Sequence, residues 1–108
     1  MKHITKKRNP NLHYYLMSAE DIYKNILASI KDEKALYDEC SNGEFPLEVY
    51  SSTPEYAFIA VVRMVEMMMM DGGLYCDIKI TKTVSLEESK RYIYDLTVGW
   101  CENDENDG

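Results

Sequence analysis

Nucleophilic catalysis needs an activated serine or cysteine, a base within hydrogen-bond reach and a group that stabilises the oxyanion. The only imidazoles here are His3 and His13. His3 falls in a basic stretch at the start of the chain, and no serine or cysteine stands in a GxSxG elbow or a cysteine-protease signature. The three cysteines, Cys40, Cys76 and Cys101, are odd in number and far apart. That spacing fits neither a disulfide framework nor a CxxC metal or redox site, and it points to reduced thiols in a cytoplasm. The segment from Asp38 to Glu44 matches a calcium loop in composition but lacks the D-x-[DN]-x-[DN]-G order. Five glycines, two of them adjacent and one terminal, cannot build a phosphate-cradling loop. The residues therefore point away from an enzyme, and no cofactor or metal is expected.

What remains is charge and aromatic surface. The 108 residues carry a net charge of −7, and residues 1 to 8 hold Lys2, Lys6, Lys7 and Arg8 without one acid, so the rest of the chain stands at −11. Such a body repels nucleic acid and is steered towards basic surfaces. Glu20-Asp21, Asp32-Glu33, Asp38-Glu39 and Glu87-Glu88 are adjacent acid pairs that serve acid/base chemistry only where they line a cleft. On polar helix faces they are simply solvated. Nine tyrosines supply rigid rings with a polar tip, a side chain favoured in protein interfaces.

The elements that position these residues follow from periodicity. Ser18 precedes apolar positions Ile22, Ile26, Leu27 and Ile30 at helical spacing, with Glu20 and Asp21 in the first turn, and the helix should run until Asn42-Gly43 stops it. Phe45, Leu47 and Val49 alternate with Glu48 and Tyr50, a short strand for which Pro46 suits an edge. Thr53-Pro54-Glu55 reads as N-cap, first-turn proline and first-turn acid of a helix that ends at Asp71-Gly72-Gly73. This helix is apolar over most of its circumference, so it is central or it faces a partner. Met67 to Met70 point in four directions around it, which places one or two of them outside any core.

Leu74 to Val84 is the clearest strand, with Leu74, Cys76, Ile78 and Ile80 on one face and Tyr75, Asp77 and Lys79 on the other. Ser85-Leu86-Glu87-Glu88 has the form of a capping box, and a third helix is expected to carry Leu86, Ile93, Leu96 and Trp100 on one face. A further strand is a candidate over residues 12–17.

These elements predict a single small α+β domain, about three helices on a short antiparallel sheet of two or three strands. Residues 1–10 form a basic flexible arm, 11–101 the folded unit and 102–108 an acidic tail with nothing to bury. The apolar run from Ala57 to Met70 is interrupted by Arg63 and Glu66 and is too short to span a bilayer, and no secretory leader follows the basic start.

The function expected is that of a small acidic cytoplasmic interaction protein that inhibits or shields a basic, nucleic-acid-binding protein. Its acids would stand in for phosphates. A phage- or mobile-element-encoded inhibitor of a host defence nuclease, such as a CRISPR or restriction effector, fits this class, as does an immunity or antitoxin-like protein. The candidate contact residues are Asp32, Glu33, Asp38, Glu39, Glu44, Glu48, Tyr75 and Asp77. The alternative is a nucleic-acid-associated accessory protein that uses its basic arm. A homodimer through the Met64–Met70 helix is a further expectation.

Overall fold

The computed structural model describes residues 16–38 and 40–102. The element order is α1 (Ala19–Leu36), β1 (Asn42–Ser51), α2 (Glu55–Asp71), β2 (Leu74–Leu86), a single 3-10 turn (Glu87–Ser89) and β3 (Arg91–Glu102). The class is α+β as expected, with two α-helices and a three-stranded antiparallel sheet of order β1-β3-β2.

The expected third helix is a strand, and it is the central one. From Tyr92 to Trp100 every second residue, Tyr92, Tyr94, Leu96, Val98 and Trp100, is apolar or aromatic, while Asp95, Thr97 and Gly99 alternate with them. That period of two, rich in aromatic and β-branched residues, overrides the helical match of Leu86, Ile93, Leu96 and Trp100. The capping-box residues make only one tight turn, in which Ser89 Oγ donates to the Leu86 carbonyl at 3.2 Å, and Lys90 then takes a left-handed φ of 55°. This turn reverses the chain, so β2 and β3 form a hairpin.

Because β3 pairs antiparallel with both neighbours, β1 and β2 run parallel to each other with β3 inserted between them. The connection from β1 through α2 to β2 is thus a split βαβ unit.

α1 begins as read. Ser18 accepts from the Asp21 amide at 3.2 Å, and the Asp21 carboxylate accepts from the Ser18 amide at 3.0 Å, a reciprocal capping box. It ends six residues earlier than Asn42, at Leu36, where Asp38 adopts a left-handed φ of 58°. Asn42 and Gly43 instead open β1. α2 starts at Glu55 with Pro54 in the cap position and no side-chain cap, so Thr53 lies one residue outside it. Gly72 closes the helix, its N–H shared by the Met69 and Met70 carbonyls, and Gly73 turns the chain at a φ of 88° that a side chain would resist.

Both helices pack on one face of the sheet. Ile22, Ile26 and Ile30 of α1 and Phe58, Val62, Val65 and Met69 of α2 meet Val49, Ile78, Tyr94, Leu96, Val98 and Trp100 in one core. Each fully buried aliphatic or aromatic side chain there contributes about 1.5–3 kcal/mol relative to exposure. The Phe58 and Tyr94 rings stack at 3.9 Å, and the Tyr94 hydroxyl donates to the Thr53 carbonyl, which ties β3 to the start of α2. Of the methionine run, Met69 is buried, Met68 half-buried and Met67 and Met70 exposed.

The basic arm at residues 1–10, both histidines and Glu39 lie outside the described residues, as does the candidate strand up to Tyr15. Leu16 and Met17 are not in a strand, although the Met17 amide donates to the Tyr50 carbonyl at 2.7 Å. Glu102, read as the first residue of the tail, is the last residue of β3 and pairs with Lys34. No helix among the described residues is long and apolar enough to cross a membrane.

Candidate protein-binding surface

The helices cover only one face of the sheet, and the register fixes what the other face displays. Residues paired across antiparallel strands point to the same side. Glu44 and Asp77 both pair with Gly99, Pro46 and Lys79 with Thr97, and Glu48 and Lys82 with Asp95. The open face therefore carries Glu44, Glu48, Asp77 and Asp95 together, with Tyr75 at one end and Tyr50 at the other. Glu44 and Asp77 stand on strands about 10 Å apart with only a glycine between them. Three basic residues share the surface: Lys79 lies 3.8 Å from Asp77, Lys82 is opposite Asp95, and Arg91 opens β3 on the same side.

Local features keep this face in register. The Tyr50 hydroxyl donates to Glu48 at 3.0 Å. Between Ile80 and Lys82 the pairing shifts by one residue, and Thr81, the extra one, donates from Oγ1 to the Asp95 carbonyl at 3.0 Å. The bulge inverts the parity of β2, so Lys82 and Val84 join the open face that a strict alternation would have denied them. Tyr50 and Val84 flank Ile93, which is fully buried although it stands on the side away from the helices.

The backbone of β1 tolerates its proline for a positional reason. The Tyr50 carbonyl points outward to Met17, so the even residues of β1 turn their amides away from β3. Pro46 is one of them, and its missing N–H costs the ladder nothing.

The eight residues singled out from the sequence divide into groups. Glu44, Glu48, Tyr75 and Asp77 are exposed and share the open face. Asp32 and Asp38 are exposed too, but they belong to α1 and the turn after it, in the helical layer. Glu33 is not a free contact residue: its carboxylate accepts the Trp100 indole N–H at 2.7 Å and fixes α1 to β3. Glu39 lies outside the described residues. Sequence reading missed Asp95, because it assigned the segment to a helix. The alternation of Tyr92 to Trp100 was the signal that would have placed it.

Among the described residues no group of three His, Cys, Asp or Glu side chains is placed to hold a metal ion. Cys40 is half-buried and points its thiol at the Glu33 carbonyl, and Cys101 is exposed. Burial, reinforced by the Glu66 carboxylate and then by Cys101, pushes the Cys76 thiol up to about 11. It stays protonated at neutral pH and is a poor nucleophile. The hollow lined by Ile30, Ser41, Gly72 and Leu74 is crossed by the Lys34–Glu102 ion pair.

Carboxylates and basic side chains thus share this face of the sheet, with a tyrosine at each end. Comparison with family models, with curated proteins and with solved structures finds no match. The functional reading rests on this surface and on the charge of the chain.

Proposed function

We propose that this chain is an acidic protein-binding module that occupies the nucleic-acid-binding surface of a basic protein through the open face of its sheet. The observation that carries the reading is the convergence of Glu44, Glu48, Asp77 and Asp95 from three strands onto a face that neither helix covers. A rigid sheet holds carboxylates without the ordering cost that flexible loops bear, so more of the Coulomb attraction survives as affinity. Tyr75 adds an apolar body beside them. The excess of negative charge over the whole chain steers encounter with a positive surface. Inhibition follows from occupancy, since a nucleic acid and this chain cannot hold the same basic groups. A defence nuclease or a toxin is the kind of target that such a protein would silence.

The test begins with capture from lysate on the immobilised chain. The captured protein is then purified, and its affinity is measured for the wild type, for Glu44→Lys/Glu48→Lys/Asp77→Lys and for a chain lacking residues 1–8. The triple variant should bind at least a hundredfold more weakly. The truncated chain should bind as well as the wild type or slightly better, because it is more negative. Binding should also fall as salt rises, and DNA or RNA should compete for the captured protein. If the truncation abolishes binding and the triple variant retains it, the basic arm is the contact and the acidic-face reading fails.

A further inference from the structure

The face of α2 turned away from the core is apolar except for Arg63. Tyr56, Ile59, Met64, Met67 and Met70 are between 50% and 85% exposed, and their spacing of three to five residues keeps them within one side of the helix, so they form one stripe rather than scattered contacts. Together they offer roughly 600 Å², the upper end of what a typical monomer leaves open in one patch. Two such surfaces that overlap over part of their length bury somewhat less than about 1,200 Å², the range of a weak, reversible dimer. We infer that α2 is the interface of a homodimer in which two copies cross at Ala60.

Charge selects this occupant. A chain at −7 repels its own copies unless they approach where little negative charge lies. The exposed charges of α2 are Arg63 within the stripe and Glu55 and Asp71 at its two ends. Arg63 makes no ion pair with any described residue. A two-fold antiparallel crossing centred on Ala60, the smallest exposed residue of the stripe, lets the backbones approach closely. It sets Arg63 of one copy beside Glu55 of the other and Met64 against the Tyr56 ring, and symmetry makes each contact twice. At the crossing angle of about 50° common for helices, the distal ends splay, and Asp71 with the neighbouring Met70 stays in solvent. A basic partner would find no carboxylate in the middle of this stripe to bind.

The neighbouring sheet edge is closed to the same role. The outward amide of Ile78 on β2 donates to Glu66 of α2 at 2.9 Å, so a second copy cannot add a strand at that position without displacing a half-buried carboxylate. Association through side chains of α2 leaves that cap in place. It also leaves the open face of each sheet free, and it does not depend on the acidic-face reading.

Sedimentation velocity of the full chain over a range of micromolar concentrations, with a reductant present because Cys101 is exposed, tests the inference. The wild type should pass from monomer to dimer. Arg63→Glu and Glu55→Arg should each weaken the dimer at least tenfold with an unchanged circular dichroism spectrum, and the double variant should recover most of the loss because it restores the pair with its signs exchanged. Met64→Lys, exposed in the monomer, should dissociate the dimer without lowering the melting temperature. A wild type that sediments as a monomer throughout overturns the inference. So does an Arg63→Glu chain that dimerises as well as the wild type, or a double variant that recovers nothing.

Discussion

Trp100 is the one tryptophan of the chain and is almost fully buried, and Glu33 receives its indole N–H at 2.7 Å. The bond passes over Gly43: a Cβ built there would lie 2.8 Å from the indole nitrogen, so the strand can cross at this point only without a side chain. One carboxylate therefore couples α1 to the central strand across a residue of the edge strand. Glu33→Ala should leave a buried donor unsatisfied and cost about 2 kcal/mol. Glu33→Gln, which keeps a carbonyl oxygen within reach, should lose about half as much. Thermal melts followed by the emission of Trp100 measure both, and equal melting temperatures for Glu33→Ala and the wild type would show that the bond carries no net stability. A sequence pairs no residue with another 67 positions away, which is why Glu33 looked like one more solvated acid.

At the scale of elements, the two edges of the sheet are protected differently. β1 turns Pro46 and the side chains of Glu44 and Glu48 towards solvent, and the Met17 amide donates to its Tyr50 carbonyl. β2, thirteen residues long and apolar on its core face, is guarded by Glu66. Glu66→Ala should free the Ile78 amide at an edge rich in β-branched residues. Its exchange with deuterium should accelerate at least tenfold, the domain should lose about 1 kcal/mol, and the variant should form larger aggregates on concentration than the wild type does. Unchanged exchange at Ile78 would show that the carboxylate is not what protects this edge. α2 itself was legible from Pro54 to the double glycine because its start and stop signals are local. β3 was not, because a capping-box pattern at Ser85 to Glu88 competed with the alternation that follows it. Pairing with two neighbours on both sides decides such a conflict, and pairing is not a local property.

For the molecule as a whole, alkaline pH should be destabilising in a definite window. Burial pushes the Cys76 thiol from 9.0 to about 11, and burial, then Glu55 and Tyr92, push the Tyr94 hydroxyl from 10.0 to about 12. Both groups are neutral when protonated, so the folded state holds its protons more tightly than the unfolded chain does. Their contribution is complete below pH 9 and is lost as pH rises through 11 and 12. The melting temperature should be level between pH 7 and 9 and fall by at least about 5 °C by pH 11. Cys76→Ser should flatten the first part of that fall, and a curve identical to the wild type would remove Cys76 as its cause. Charge acts at the same scale: the acids of the sheet face come from segments spread between Glu44 and Asp95, and only the fold brings their charges onto one surface.

The sequence by itself determined the class of this protein. Periodicity and terminal signals act within a few residues, so α1, β1, α2 and β2 were each readable, as was the division of β2 into an apolar face and a face bearing Tyr75 and Asp77. Tertiary structure alone decided the rest. It made Arg91–Glu102 the central strand, turned Glu33 inward to Trp100 and gathered Glu44, Glu48, Asp77 and Asp95 on one side. It also left Met64, Met67 and Met70 in solvent while burying Met69. The physical reason is common to all four. A strand acquires its hydrogen bonds, a carboxylate its donor and a thioether its burial from residues distant in the chain, and those partners exist only once the sheet has formed.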